Sequence, residues 1–204
     1  MRQNLCPNPA AKNNSTGWGG SAAPTRVTGL AGFPVTTGMK STGAGFITSA
    51  TGVCGPGDQL VVSLHQQSAT VLGSKTVYAA FTRSAGGDDF SQTFTTNLDS
   101  TVKRTTATVT APALATGVYL LLDGVGADVV MTGVMYEPGT VDGGYADGDT
   151  SGWAWDGADG NSSSSESAPS GPATTLWDGA NEVPVTLTLW DGANEVPVTL
   201  ELAP

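Results

Sequence analysis

Basic residues are scarce in this chain. Its 204 residues include 8 lysines and arginines against 18 aspartates and glutamates, which gives a formal net charge of -10 at pH 7. Proteins that bind nucleic acids neutralise phosphates with clustered lysine and arginine, and no such cluster occurs here. The sequence therefore predicts no nucleic-acid partner and no part in DNA packaging.

Long apolar runs are lacking as well. No stretch of about 18 apolar residues is present, and no hydrophobic segment follows Met1 and Arg2. A membrane-spanning helix needs about 20 predominantly apolar residues, and a secretory leader needs a shorter apolar region behind a basic start. We expect neither a membrane span nor an export signal.

The side chains on which most enzymes depend are few. The sequence has 1 histidine, His65, and 2 cysteines, Cys6 and Cys54, whose spacing does not match a zinc-binding set. His65 lies in an alternating strand pattern, and no Gly-x-Ser-x-Gly turn occurs, so we interpret it as an outward-facing or hydrogen-bonded polar residue. The adjacent carboxylates Asp88 and Asp89 lie in the turn SAGGDDF, where solvated loop acids are commoner than an acid-base pair. We expect no enzymatic activity.

Cys6 and Cys54 leave two alternatives open. They would form one disulfide in an oxidising environment. In a reducing cytoplasm each would be a small buried side chain.

The segment DGDTSG (147–152) imitates the first half of a calcium-binding EF-hand loop. Oxygen-bearing side chains occupy the first, third and fifth positions, and glycine occupies the sixth. The twelfth position is Ala158 instead of the glutamate that supplies the strongest ligand. We expect no cofactor, with a structural calcium only weakly supported, and interpret the segment as a turn after the last strand.

Helical periodicity is lacking, and the chain up to residue 146 alternates short β-rich runs with clusters of Gly, Pro, Asn and Asp. Residues 118–122 are continuously apolar, as in a central strand, and residues 77–81 alternate, as in a half-buried strand. The pattern predicts an all-β, jelly-roll-like β-sandwich over residues 1–146. The predicted strands are 25–28, 45–49, 59–66, 75–82, 91–96, 103–110, 117–122 and 128–136.

Residues 147–173 are rich in Gly, Ser and Asp, and Trp153 and Trp155 are their only large apolar side chains. Such a composition is typical of an extended linker. Sugar-binding sandwiches stack exposed aromatic rings on glycans, but most aromatic residues of this chain lie in segments that need a core. These are Trp18, Tyr78, Phe81, Tyr119 and Tyr136. Trp153 and Trp155 are therefore the candidate contacts with a partner protein or a glycan.

Two identical copies of TLWDGANEVPVTL follow each other at 175–187 and 188–200. Each copy has Asp-Gly inside a DGAN turn, which predicts a β-meander over residues 174–204. Pairing Trp177 with Glu182 and Trp190 with Glu195 puts nine apolar residues on one face. They are Leu176, Val183, Val185, Leu187, Leu189, Val196, Val198, Leu200 and Leu202. A lone meander does not bury such a face, so we expect it to contact another chain, or alternatively the main domain of its own chain.

Several stretches, taken in order, resemble a known family. They are NLCPNPAAKNNSTGWGG (4–20), RVTGLAGFPVTTGMKSTGAGF (26–46), VVMTGVMYEPGT (129–140), GYADGDTSGWAW (144–155) and the WDGANEVPVTL copies. They are similar to carbohydrate-binding-module-like domains in minor tail proteins of long-tailed actinobacterial phages. Related modules have Ser-Phe-Glu after the NP, with the Glu on a structural calcium, whereas this chain has Ala10, Ala11 and Lys12.

The resemblance implies a non-enzymatic virion structural protein, a minor tail or tail-tip component that contacts other virion proteins and the host surface. Two alternatives stay open: a glycan-binding module for a host cell-surface polysaccharide, and a capsid decoration protein. We expect a homo-oligomer, with a trimer favoured. The missing export signal fits a virion protein that is made in the host cytoplasm and released by lysis.

The register of the repeats predicts different effects for two neighbouring substitutions. Leu187→Asp places an unpaired carboxylate in the apolar contact and should cost several kcal/mol of association free energy. Thr186→Asp lies on the opposite face and should change association little. The oligomer mass of both variants, measured by light scattering, checks this prediction, and equal behaviour would show that the register or the contact is wrong.

Overall fold

All regular structure described in this chain is β-strand. The computed structural model describes residues 2–167, 174–177 and 182–185. The chain divides into two units, Met1–Glu166 and Ser167–Pro204. The described part contains no helix of a length and apolarity that would let it cross a membrane.

The strands are short to medium in length and are separated by turns. In chain order they are β1 (Gln3–Asn4), β2 (Thr25–Thr28), β3 (Thr37–Lys40), β4 (Gly45–Thr48), β5 (Gly52–Val53), β6 (Gln59–Ser68), β7 (Gly73–Arg83), β8 (Asp88–Leu98), β9 (Lys103–Thr110), β10 (Ala115–Val125), β11 (Val129–Pro138), β12 (Trp153–Trp155), β13 (Ser164–Glu166), β14 (Thr174–Trp177) and β15 (Glu182–Val185).

The first unit contains two five-stranded antiparallel sheets and a smaller third sheet. The front sheet has the order β4-β10-β7-β8, with β5 also paired to β10. The back sheet has the order β2-β3-β11-β6-β9. The terminal sheet has the order β1-β13-β12 and joins strands from both ends of the unit.

Strand alternation builds one core between the front and back sheets. Successive side chains of a strand point to opposite faces, so every second residue of a central strand enters the core. From the front sheet come Val77, Ala79 and Phe81 of β7 and Val118, Leu120 and Leu122 of β10, all fully buried. From the back sheet come Leu60, Val62 and Leu64 of β6. Both sheets thus contribute to one apolar cluster, which confirms the predicted all-β sandwich.

The eight strands predicted for the sandwich all occur, with small differences at their ends. Residues 88–90 were assigned to a turn, but they belong to β8, whose pairing with β7 begins at Asp88. The prediction also omitted β1, β3 and β5. In β3 the reason is Gly38, which weakens the apolar pattern. A side chain at Gly38 would meet Thr132 of β11 at 2.7 Å, so close packing of β3 on β11 requires glycine there.

The predicted linker is wrong over residues 147–166, because this segment belongs to the first unit. Its strand β13 pairs with β1 on one side and with β12 on the other. The composition of NSSSSES is typical of a linker, but serine side chains fit a strand when one face is covered, and Ser164 is fully buried. The remaining linker residues, 168–173, lie outside the described residues.

Two cations fasten this segment to the start of the chain. The Arg2 guanidinium pairs with Glu137, donates to the Gly144 carbonyl at 2.7 Å and lies 5.2 Å from the ring centre of Trp153. The Lys12 ammonium lies between Asp149, at 2.8 Å, and Asp159, at 2.6 Å. These charged contacts therefore hold residues 147–166 against the N-terminal segment, although residues 147–166 have few apolar side chains for packing.

The second unit is described only as the hairpin β14–β15. Leu176 pairs with Val183 and Trp177 with Glu182, which is the register predicted for the first repeat turn. The predicted face residues Leu187, Leu189, Val196, Val198, Leu200 and Leu202 lie outside the described residues. Their contact with a partner stays a prediction.

The terminal sheet predicts where the first unit can be shortened. Truncation after Ser167 should leave its thermal unfolding unchanged, because β13 is retained. Truncation after Gly160 removes β13, leaves β1 and β12 without a partner, and should lower the unfolding temperature by about 5 °C or more. Differential scanning calorimetry of both forms checks this, and equal midpoints would mean that the terminal sheet adds no stability.

Candidate functional site

The outer face of the back sheet is covered by the ends of the first unit. The Leu5 amide of the N-terminal segment donates to the Tyr136 carbonyl of β11 at 2.9 Å. The ring of Tyr145, which follows β11, packs edge-on against His65 of β6 with 5.7 Å between ring centres. The outward residues of the middle strands β6 and β11 are consequently buried, among them Val61, Ser63, Met135 and Glu137. The ends of the first unit therefore cover the middle of this face.

The outer face of the front sheet carries a cluster of exposed and half-buried aromatic rings. Tyr78 lies between the buried Val77 and Ala79, and Tyr119 lies between the buried Val118 and Leu120, so both tyrosines point away from the core. Phe90 of β8 is 43% exposed. We call these three side chains, Tyr78, Phe90 and Tyr119, the aromatic platform.

The rings of the aromatic platform meet edge to face. The ring centre of Phe90 lies 6.0 Å from Tyr78 and 6.4 Å from Tyr119, with interplanar angles of 88° and 85°. Aromatic pairs favour this geometry, which stabilises the relative orientation of the three rings. The Phe90 ring is therefore nearly perpendicular to each of the two tyrosine rings.

Polar groups border the aromatic platform. The Tyr119 hydroxyl donates to Oδ2 of Asp88 at 2.7 Å. Burial and this hydrogen bond to Asp88 raise the pKa of Tyr119, so the hydroxyl keeps its proton. The Thr82 and Thr116 hydroxyls lie 3.1 Å apart on neighbouring strands. This border supplies both donors and acceptors for a polar ligand.

Tyr78 and Tyr119 were predicted to lie in the core, and that prediction is wrong, since both are half-buried on the outer face. A signal was available for Tyr78, because residues 77–81 alternate. Tyr119 lies in the continuously apolar run 118–122, which predicts burial on both faces. Phe90 was not among the candidates, since a register shift between β7 and β8 places it on the outer face and this shift has no clear sequence pattern. Trp18, Phe81 and Tyr136 are buried, as predicted.

The structure places Trp153 and Trp155 in the terminal sheet, separate from the strands of the aromatic platform. Both are half-buried. Arg2 lies over the first ring and Lys12, at 5.7 Å, over the second. These tryptophans therefore have a packing role inside the unit, and their contact with a partner stays a prediction.

The remaining polar candidates have partners within the protein. Nδ1 of His65 lies 3.2 Å from the Gly133 carbonyl, and burial, together with the positive charge of Arg104, lowers its pKa. Cys6 and Cys54 are free thiols, and burial raises their pKa to about 12 and about 11. Asp89 accepts from the Ser91 amide at 2.9 Å.

The carboxylates of the turn that imitates a calcium loop also have partners within the protein. The Asp147 carboxylate accepts from the Tyr145 hydroxyl at 2.7 Å and from the Asp149 amide at 3.0 Å, while Asp149 binds Lys12. These groups border a cleft of ≈ 330 Å³ whose opposite wall contains Thr36 and Thr37. Within the described ranges no three His, Cys, Asp or Glu residues are grouped to hold a metal ion.

No protein-family model matches this chain, and no curated protein matches it. Solved structures do match. The N-terminal CBM22-1–CBM22-2 tandem domain from Paenibacillus barcinonensis Xyn10C has a TM-score of 0.51 and 13% identity, over 67% of this chain and 50% of that one.

Two further matches have lower TM-scores. The enzymatically active domain of bacteriophage CBA120 tailspike protein 4 has a TM-score of 0.49 and 16% identity, over 66% of this chain. This chain spans only 21% of that tailspike domain. The Family 16 Carbohydrate Binding Module-2 has a TM-score of 0.45 and 16% identity, over 65% of this chain and 99% of that one. The two-sheet architecture and the match to the CBM22 tandem domain, at a TM-score of 0.51, show that the first unit has a carbohydrate-binding-module-like β-sandwich fold.

Proposed function

We propose that this chain is a carbohydrate-binding module that holds a glycan on the aromatic platform. The observation that carries the proposal is the position of Tyr78, Phe90 and Tyr119 together on the outer face of the front sheet, where Phe90 is 43% exposed. Sugar rings have apolar faces that stack on aromatic side chains, and hydroxyl groups that need hydrogen-bonding partners. The platform and its polar border supply both kinds of contact.

The ring orientations favour a single glycan chain over a flat crystalline surface. Phe90 is nearly perpendicular to each tyrosine, with angles of 88° and 85°. Rings in perpendicular planes cannot all lie flat on one planar surface. A soluble chain, whose successive sugars rotate relative to each other, can present a face to each ring.

The proposal excludes a catalytic role for this face. A glycosidase needs two carboxyl groups on opposite sides of the scissile bond. The Asp88 carboxylate accepts a hydrogen bond from Tyr119 on the outer face. Asp89 lies opposite Phe81 in the register of β7 and β8, so it starts from the inward side, and its carboxylate accepts from the Ser91 amide. Neighbouring strand residues point to opposite faces, so the two carboxylates do not face one ligand.

Loss of a platform ring should weaken glycan binding. Phe90→Ala and Tyr119→Ala should each lower the affinity about fivefold or more, because an aromatic contact contributes roughly 1 kcal/mol. Isothermal titration calorimetry against soluble polysaccharides, among them mixed-linkage β-glucan, xylan, galactan and mannan, gives the affinities.

A matched control distinguishes the loss of a platform ring from the loss of any exposed apolar side chain. Val141→Ala also shortens an exposed apolar side chain, 78% exposed, on the segment after β11, and should bind as the unchanged protein does. Trp153→Ala tests the terminal sheet in the same way. Unaltered binding by Phe90→Ala, with loss in Trp153→Ala, would move the site to the terminal sheet. No binding of any polysaccharide by the unchanged protein would contradict the proposed function.

We also propose that the module acts as part of a phage virion, on the tail or on the capsid, and brings the particle to the host surface. The sequence resemblance and the identical tandem repeats support this location, since the sequence predicts that the repeats form an apolar face for a neighbouring virion protein. Immunogold labelling of purified phage particles with antibody to the first unit should mark the particle. Unlabelled particles would contradict the location while leaving the carbohydrate-binding proposal standing.

A further inference from the structure

The charges around the aromatic platform point to the class of glycan that it accepts. We infer that the platform binds an uncharged glycan, and that Asp88 and Asp123 select against glycans that carry carboxylate or phosphate groups. The inference rests on the proposed function and concerns the same face of the front sheet.

Asp88 lies in direct contact with the aromatic platform. Its Oδ2 accepts the Tyr119 hydroxyl at 2.7 Å, and the side chain is exposed. The pairing of Asp88 with Thr82 places it on the outward side of β8, next to the outward side of β7. The second carboxylate oxygen can accept a hydrogen bond from a sugar hydroxyl, which an ionised carboxylate or phosphate of a ligand cannot donate.

Asp123 lies at the other end of the same face. It follows Tyr119 and Leu121 at intervals of two residues along β10, directly after the last regular pair, Leu122 with Val77, and before the register shift that ends at Val125. Alternation up to that pair puts the position of Asp123 on the same side of the sheet. Four residues of extended strand separate it from Tyr119 by about 13 Å. One carboxylate therefore lies on each side of the aromatic platform, Asp88 at one end and Asp123 at the other.

The two cations of β7 start from the side of the strand that faces the core, because Lys75 and Arg83 alternate with Val77 and Phe81. The Lys75 ammonium ends beside Gly124, 3.6 Å from where a side chain there would begin, and thus close to the end of β10 that contains Asp123. Arg83 contributes to the lowered pKa of Asp89, after the hydrogen bonds that Ser91 donates. The outward positions of β7, β8 and β10 thus include two carboxylates and no lysine or arginine.

These charges act on every anionic ligand that approaches the aromatic platform. Two like charges about 7 Å apart repel each other enough in water to weaken binding about threefold, and salt reduces this effect. The net charge of -10 adds a longer-range repulsion of the same sign. An uncharged glycan avoids both effects and gains the acceptor oxygen of Asp88.

A matched pair of ligands tests the inference. Mixed-linkage β-glucan, xylan, galactan and mannan are each compared with their carboxymethylated derivatives by affinity electrophoresis, at low and at high salt. The unchanged protein should bind the uncharged form about threefold or more tightly at low salt, with a smaller ratio at high salt. Equal or tighter binding of a carboxymethylated form would overturn the inference and leave the proposed function intact. Binding of neither form would overturn both.

Three substitutions assign the selection to particular side chains. Asp88→Asn and Asp123→Asn should each reduce the ratio between the two ligands about twofold. Asp159→Asn removes the same charge from the loop between β12 and β13 and should leave the ratio unchanged. An equal reduction in all three variants would overturn the assignment to Asp88 and Asp123, because the net charge of the protein alone would then explain the selection.

Discussion

The pairing of the two ends of the first unit determines which face of the sandwich a ligand can reach. Strand β1 pairs with β13, and Arg2 of the same N-terminal segment pairs with the buried Glu137 of β11. These contacts hold the termini over the back sheet. A buried carboxylate without its cation is strongly destabilising, so the cover is coupled to the stability of β11 itself. Within the first unit the outer face of the front sheet is not covered by these ends, and Phe90 on it is 43% exposed.

The few basic residues of the chain are largely used inside the fold. Five of the 8 form ion pairs: Arg2, Lys12, Lys40, Lys103 and Arg104. Single exposed ion pairs add little stability, but those of Arg2 and Lys12 also fix the course of residues 147–166. The acidic surplus remains on the surface. The net charge of -10 repels anions at long range, which is compatible with an uncharged ligand.

The sequence predicted the sandwich because its core depends on alternation, which is a local property. Strands β6 and β7 were found from that pattern, and β10 from its continuous apolar run, which is equally local. Strand β13 was missed because serine-rich segments have no apolar signal, and its order depends on β1, more than 150 residues away in sequence, as the pairing of Gln3 with Ser165 shows. Composition indicates whether a segment can build a core, but it does not indicate whether another strand pairs with it.

The aromatic platform was predictable only in part, for a related reason. Alternation with Val77 and Ala79 identifies Tyr78 as an outward residue, whereas Tyr119 lies in a continuously apolar run. The orientation of Phe90 follows from a register shift that only the sheet reveals. Whether an outward face is open depends on the termini, which are distant in sequence. Because of alternation, each strand has two sets of residues with different roles. Its inward residues fix the fold, and its outward residues can change without creating cavities, so one sandwich can support many specificities.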